Sequence, residues 1–377
     1  MLRRLHEFRR DERGMSFAFV GIGLMTFMAA TTLAVDVGMF MTARTQAQTS
    51  ADAGALAGVT ALVFNSWTDR TPSGPAVQSS MSAAQQNTVM TGVVSVQPSD
   101  VTFPNDPFGQ PNRVRVDVYR TAGRSNPVTT LMGSLLGIST VDIAATATAE
   151  AAPAGGMTCV KPFIIPDRWQ ENTNPPWNIN TSDFDRYDNR GNVIPNADVY
   201  DPTRGYTALD KGTQLILRAG SGNNIRPTFY FSWAMPPNTG AAWYEENIAH
   251  CNTTVIDTGY MATQEPGNMV GPTISGLQQL MDQDPTAIWD SSNNKYVSTI
   301  NPSPRVFPIP LYNPDEYDYA KQTGRNATLH VVAWLGFFLE RIQGNEAYGR
   351  IFPIIGVSAA TSPTPTAPLA YVIRLVQ

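Results

Sequence analysis

The sequence predicts an α+β chain: a long N-terminal transmembrane helix, then a small α+β unit, then a mainly β, loop-rich domain. Three observations carry this. Residues 15 to 35, MSFAFVGIGLMTFMAATTLAV, form a 21-residue run with no charged side chain. No proline occurs before Pro72. Beyond it, apolar segments are short, often alternating, and punctuated by Pro, Gly, Asn and Asp.

The uncharged run has the length an α-helix needs to cross a bilayer's hydrocarbon core, about 20 residues at about 1.5 Å each. Arg3, Arg4, Arg9, Arg10 and Arg13 precede it and Asp36 follows. Arginines on one flank of a span stay in the cytoplasm, so residues 1–14 read as a cytoplasmic basic segment and residues 36–377 as facing outward. A cleaved secretory signal also begins basic and turns apolar, and Ala29, Ala30 and Ala34 fit one, but its core usually runs only about 7–15 residues. The longer run reads as a retained anchor. Asp36 falls at the outer boundary, where water can hydrate it.

Without proline, helix can continue to about residue 64. Small residues recur every fourth position, first Ala30, Ala34 and Gly38, then Ala43, Ala47, Ala51 and Ala55. That spacing holds them near one face, where another element can approach closely. Arg44, Gln46, Gln48 and Asp52 keep the outer half partly wet. The face can lie on the chain's own exported domain or against another subunit, and both readings stay open.

The string Asp11-Glu12-Arg13-Gly14, the apolar run, Leu33-Ala34-Val35-Asp36-Val37-Gly38, then Gln48, Ser50-Ala51-Asp52-Ala53 and Ala55-Leu56-Ala57 resembles the N-terminal domain of TadG-like proteins of the Flp (Tad) pilus-assembly system. The resemblance spans about 50 residues and implies a pilin-like helix in a bacterial inner-membrane protein, its C-terminal domain periplasmic or surface-exposed. Its implied partners are pilin-like or pilus-assembly proteins, met through the helix. Gly14 and Met15 mark the family's possible processing site, although Phe19 stands where its peptidases usually meet glutamate. The D-x-S-x-S sequence of the longer members' von Willebrand A-like domain does not occur. Glu265-Pro266-Gly267-Asn268-Met269-Val270-Gly271-Pro272 and Ser303-Pro304-Arg305 resemble the C-terminal region of the shorter members.

Residues 65–155 read as the small α+β unit. Alternation marks strands at Arg113–Tyr119 and Val141–Ala149, with a short apolar helix near Val128–Leu136. Residues 151–156, AAPAGG, read as a linker. Of the 29 prolines and seven tryptophans, 21 and six lie beyond residue 157, which makes residues 157–377 a loop-rich, mainly β domain. Val331–Leu339 is too short to span a membrane and reads as a buried strand, followed by a turn at Gln343-Gly344-Asn345 and a strand near Tyr348–Val357. Residues 362–368 read as a proline-rich loop and Ala370–Val376 as a last strand.

Cys159 and Cys251, the only cysteines, both lie on the exported side and form a disulfide candidate. No cofactor is expected. His6, His250 and His330 are scattered, and the weak calcium candidate Asp183, Asp185 and Asp188 departs from an EF-hand, with Tyr187 at the third ligand position. Ser303, Glu245, Glu246, Glu265 and His250 show no catalytic spacing, so no catalytic residue is assigned. Trp169, Trp177, Trp233, Trp243 and Trp289 read as core rather than as a glycan-binding surface. Beyond residue 14 the chain holds 21 basic and 28 acidic side chains, a net charge of −7, which argues against a nucleic-acid partner. The sequence thus favours a non-enzymatic pilus-assembly component or minor pilin-like subunit. A tethered surface-binding or adhesive module is the alternative, and a periplasmic enzyme a weaker one.

Overall fold

The computed structural model describes residues 12–220, 224–267, 269–324, 328–360 and 369–376. Its helices are α1 (Glu12–Phe64), α2 (Pro75–Gln86), α3 (Ala241–Ala249), α4 (Val270–Gln283) and α5 (Pro314–Gln322). Its principal strands are β1 (Val101–Thr102), β2 (Arg113–Arg120), β3 (Ile143–Met157), β4 (Phe163–Pro166), β5 (Gln214–Ala219), β6 (Phe229–Ser232), β7 (Met261–Ala262), β8 (Val306–Tyr312), β9 (Leu329–Gln343), β10 (Glu346–Ile351), β11 (Ile354–Ile355) and β12 (Ala370–Val376). The class is α+β, as the sequence predicts.

The first sheet runs β11-β12-β3-β2-β1. In β2 every second side chain turns inward, so Val114, Val116 and Val118 are buried while Arg115 faces out. The outer half of α1 and the shorter α2 pack on this sheet: Ala43, Ala47, Ala51, Ala55, Val59 and Leu62 share one core with Ala76, Val77 and Ala84 of α2 and the β2 valines. Small residues are required there. A Cβ on Gly58 would lie 2.1 Å from the Ser80 hydroxyl oxygen and 2.8 Å from Val114 Cγ1.

Residues 151–156 are not a linker. They complete β3, which pairs with β12 from Tyr371 opposite Pro153 to Val376 opposite Thr148, so the C-terminal strand returns to the first sheet. The alanines and glycines are there because the neighbours are close: a Cβ on Gly156 would meet the Asp257 carboxylate at 2.4 Å. Glu150 on β3 ties this sheet together by accepting from Arg113 of β2 and Arg374 of β12. The apolar helix expected near Val128–Leu136 is a two-stranded hairpin, Val128–Thr129 with Thr140–Val141, whose tip holds a 3-10 turn at Gly133–Leu136. Residues 362–368 lie outside the described residues.

The second sheet closes on itself. Strands follow β9-β8-β4-β6-β5-β10, and β10 pairs back with β9, giving a six-stranded barrel with β7 added at β9. Phe163, Ile165, Leu215, Leu217, Phe307, Ile309, Leu335, Phe337 and Leu339 fill one core with Tyr244 and Ile248 of α3 and Leu277 and Leu280 of α4. Trp169 and Trp233 are buried and Trp177, Trp243 and Trp289 half-buried. Trp169 sets its edge on Trp177 and on Phe184, and Trp289 packs on Phe338 and Phe352.

The two halves of α1 are expected to differ under substitution. Gly58→Val should lower the stability of the detergent-solubilised full chain by about 1–3 kcal/mol through overpacking. Ala34→Leu, on the uncovered half, should leave the melting temperature unchanged. Thermal unfolding checks both.

Candidate functional site

Residues 17–31 of α1 are all exposed, with none of the described fold packed over them. The most apolar stretch of the helix is wholly uncovered, with Phe17 at 83 %, Met25 at 76 % and Phe27 at 70 % exposure. Apolar side chains ring the helix rather than marking one face, the pattern of a helix surrounded by lipid or by other apolar helices. Ala30, Ala34 and Gly38 lie exposed in this half, whereas Ala43, Ala47, Ala51 and Ala55 are covered by the chain's own sheet and α2.

Asp36 stands where these regimes meet. Although a charged side chain at the end of an apolar run suggests hydration, Asp36 is only 4 % exposed. Its carboxylate accepts from the backbone amides of Leu131 and Met132, each at 3.1 Å, and of Gly133 at 2.5 Å. Three amides aimed at one carboxylate form an anion-binding nest, and such charge-assisted bonds are the strong kind. Gly133 lets the loop come this close, since a Cβ there would lie 3.0 Å from the Asp36 oxygen and 2.9 Å from the Ile138 carbonyl. The hairpin base is held by Arg120, which donates to the carbonyls of Val89, Asn126 and Pro127. The nest was not legible in the sequence because its amides belong to residues about 95 positions away and carry no side-chain signature.

The other end of α1 is clamped by the barrel domain. Lys211 donates to the carbonyls of Phe64 and Asn65, placing a cation at the helix C-terminus, where the dipole favours it. Phe64 packs against Phe352, and Trp67 stacks on Tyr371. The same device recurs at α3, where buried Lys161 donates to the carbonyls of Ile248 and His250. Burial pushes the Lys161 ammonium down to about 7. Beside it Cys159 and Cys251 form a disulfide, their Cα atoms 4.3 Å apart. On a loop-entropy model a bridge closing a loop of this length contributes roughly 4–5 kcal/mol.

Gly14 and Met15 lie in the first turn of α1, and His6 lies outside the described residues. Asp183 pairs with Arg226 through both oxygens at 2.6 Å, and Asp188 accepts from the amides of Arg190 and Asn192 in its own turn. At Asp185 the fold uses the backbone, whose amide donates to Asp198. Among the described residues no group of three or more His, Cys, Asp or Glu is placed to hold a metal ion. The acidic and hydroxyl groups weighed for hydrolysis do not converge: Ser303 donates to Asp284, Glu245 accepts from Ser275 and Gln279, Glu265 accepts from the Gly240 amide, and His250 lies 3.8 Å from Glu246 on the surface. His330 meets Glu316 at 3.1 Å. Ser303-Pro304-Arg305 instead builds the fold, with the buried Arg305 guanidinium donating to the carbonyls of Asp284, Ala287, Leu339 and Glu340.

Two outcomes follow from these contacts. Asp36→Ala is expected to cost about 1–3 kcal/mol by leaving the buried Gly133 amide and two part-buried ones without an acceptor, and to speed hydrogen exchange at the amides of residues 131–133 selectively. Asp167, 1 % exposed, sets a pH dependence. Burial pushes its carboxyl up to about 7 against hydrogen bonds from the Arg168 amide and the Tyr200 hydroxyl. The folded chain therefore holds a proton that the unfolded chain releases. This contribution is complete below the unfolded value of about 4 and is lost as pH rises through about 7. Melting temperature should fall across that window, and less so in Asp167→Asn.

No curated protein and no solved structure matches this chain significantly. Residues 14–61 match the family model described as "Putative Flp pilus-assembly TadE/G-like". The match covers most of α1, with the uncovered apolar half, Asp36 and the small-residue face all inside it. The helix that joins the apolar run to the rest of the fold is thus similar to a TadE/G-like pilus-assembly domain over residues 14–61.

Proposed function

We propose that this chain is a single-pass inner-membrane component of Flp/Tad pilus assembly, its N-terminus cytoplasmic and residues 36–377 exported. The supporting observation is the uncovered apolar half of α1 inside the family match. Large apolar surface of this kind is stable only when lipid or another apolar surface covers it. The arginines at positions 3 to 13 set the orientation.

The role is contact rather than chemistry. Ala30, Ala34 and Gly38 present a small-residue strip in the uncovered half, where a neighbouring pilin-like or assembly helix can approach closely. Ala43, Ala47, Ala51 and Ala55 serve the chain's own core, so the docking surface is the part of the face that precedes Ala43. The exported sheet and barrel then project from a helix held at both of its outer contacts. Processing at Gly14 would turn the same helix into a minor pilin-like subunit.

Replacing Ala34 and Gly38 together by Leu is expected to abolish crosslinking between this helix and its assembly partners and to reduce piliation, while membrane fractionation and melting temperature stay as in the parent chain. Intact crosslinking and piliation in that variant would remove the docking strip from the account.

A further inference from the structure

The Asp36 nest places one segment of the exported fold at the point where α1 leaves its apolar run. That segment is the tip of the hairpin between Val128 and Val141. Residues 125–141 contain no charged side chain. Leu131, Met132 and Ile138 are exposed by 64 %, 40 % and 55 %, although the hairpin is fixed in place by Asp36 and Arg120. Exposed aliphatic side chains gathered on one pinned, uncharged loop form an apolar patch, the kind of surface that marks a protein or membrane contact.

Along α1 only Asp36 is charged between residue 15 and residue 43, and its charge is spent on the loop's amides; the next charge, Arg44, faces solvent. The helix therefore presents no solvent-facing charge over 29 residues, about 43 Å at 1.5 Å per residue. That exceeds the roughly 30 Å hydrocarbon core and matches the roughly 40–45 Å of a bilayer with its headgroup layers. The surplus lies at the level of Asp36, beside the hairpin tip. Resting on the membrane-anchored reading above, we propose that the 128–141 hairpin is a second membrane contact, inserting Leu131, Met132 and Ile138 into the outer interfacial layer next to the span. The occupant of this apolar tip is lipid. Its shallow depth is that of interfacial segments, whose apolar faces sit roughly 5–10 Å into the headgroup–acyl boundary. Two points of contact would fix the rotation of the exported fold about the helix axis, which one span alone leaves free.

The test uses the full chain in vesicles of phosphatidylethanolamine and phosphatidylglycerol. Both native cysteines are bonded and no free one exists among the described residues, so a single introduced cysteine takes an environment-sensitive fluorophore. Leu131→Cys and Ile138→Cys probe the hairpin, and Phe27→Cys probes the span. Phe108→Cys, at an 89 % exposed position beyond the far end of β2, about 25 Å of strand away, is the aqueous control. Expected are blue-shifted emission at 131 and 138, with loss of emission to nitroxides near the lipid headgroup, while 27 responds to nitroxides deep in the acyl chain and 108 to neither. If 27 is quenched but 131 and 138 behave like 108, the hairpin proposal falls and the anchor stands. If 131 and 138 are blue-shifted yet insensitive to lipid nitroxides, protein covers the tip and the proposal again falls. If 27 itself escapes the deep quencher, the anchored reading fails and takes the hairpin contact with it.

Discussion

The carboxylate of Asp36, held by the amides of Leu131, Met132 and Gly133, is the interaction on which the arrangement of this molecule depends. It joins the middle of a 53-residue helix to a hairpin whose base is held by the first sheet through Arg120. That sheet in turn carries β3, on which the C-terminal strand also pairs, and Lys211 closes the far end of α1 against the barrel domain. A rod fixed at two points about 28 residues apart, roughly 40 Å along the helix, carries the rest of the described fold with it rather than swinging on a tether. Where the helix goes, the sheet and barrel follow.

The same helix must satisfy two different surroundings. Its outer half is one-sided, with alanines and glycines turned to β2, β3 and α2 and Arg44, Gln48 and Thr60 left outside. Its inner half is apolar around its circumference. Burying a large apolar side chain is worth roughly 1.5–3 kcal/mol, so the uncovered phenylalanines, methionines and leucines together represent more free energy than the whole stability of a typical domain. Apolar surface of this extent is the kind that lipid or another apolar surface covers. Asp36 can stand where the surroundings of the helix change because three backbone amides, rather than water, satisfy its carboxylate.

Much of this was legible from residues alone. The apolar run, the small-residue spacing and the alternation of Arg113–Tyr119 are local patterns with local causes, and the ordered string from Asp11 to Ala57 pointed to the family whose model matches residues 14–61. What stayed hidden is non-local. The barrel depends on β4 meeting β8 and β6, strands separated by more than a hundred residues in one case, and on β10 returning to β9. Helices α3, α4 and α5 were obscured because Pro and Gly flank or enter them, with Gly240 before α3, Pro272 in the first turn of α4 and Pro314 opening α5. The Ala-Ala-Pro-Ala-Gly-Gly stretch looked like a linker because small side chains serve flexible segments and crowded strands equally well. Only the approach of Asp257 and Ser358 to Gly156 distinguishes the two.

We propose that α1 passes from lipid into the folded part of the chain at Asp36. The most direct test of this is cysteine accessibility in spheroplasts of a bacterial host expressing the full chain, with a membrane-impermeant maleimide. The account expects rapid labelling of Arg44→Cys from outside and labelling of Phe27→Cys only after the membrane is dissolved and the protein denatured. Labelling of Phe27→Cys at the rate of Arg44→Cys in intact spheroplasts, or of Arg44→Cys only in inverted vesicles, would contradict it.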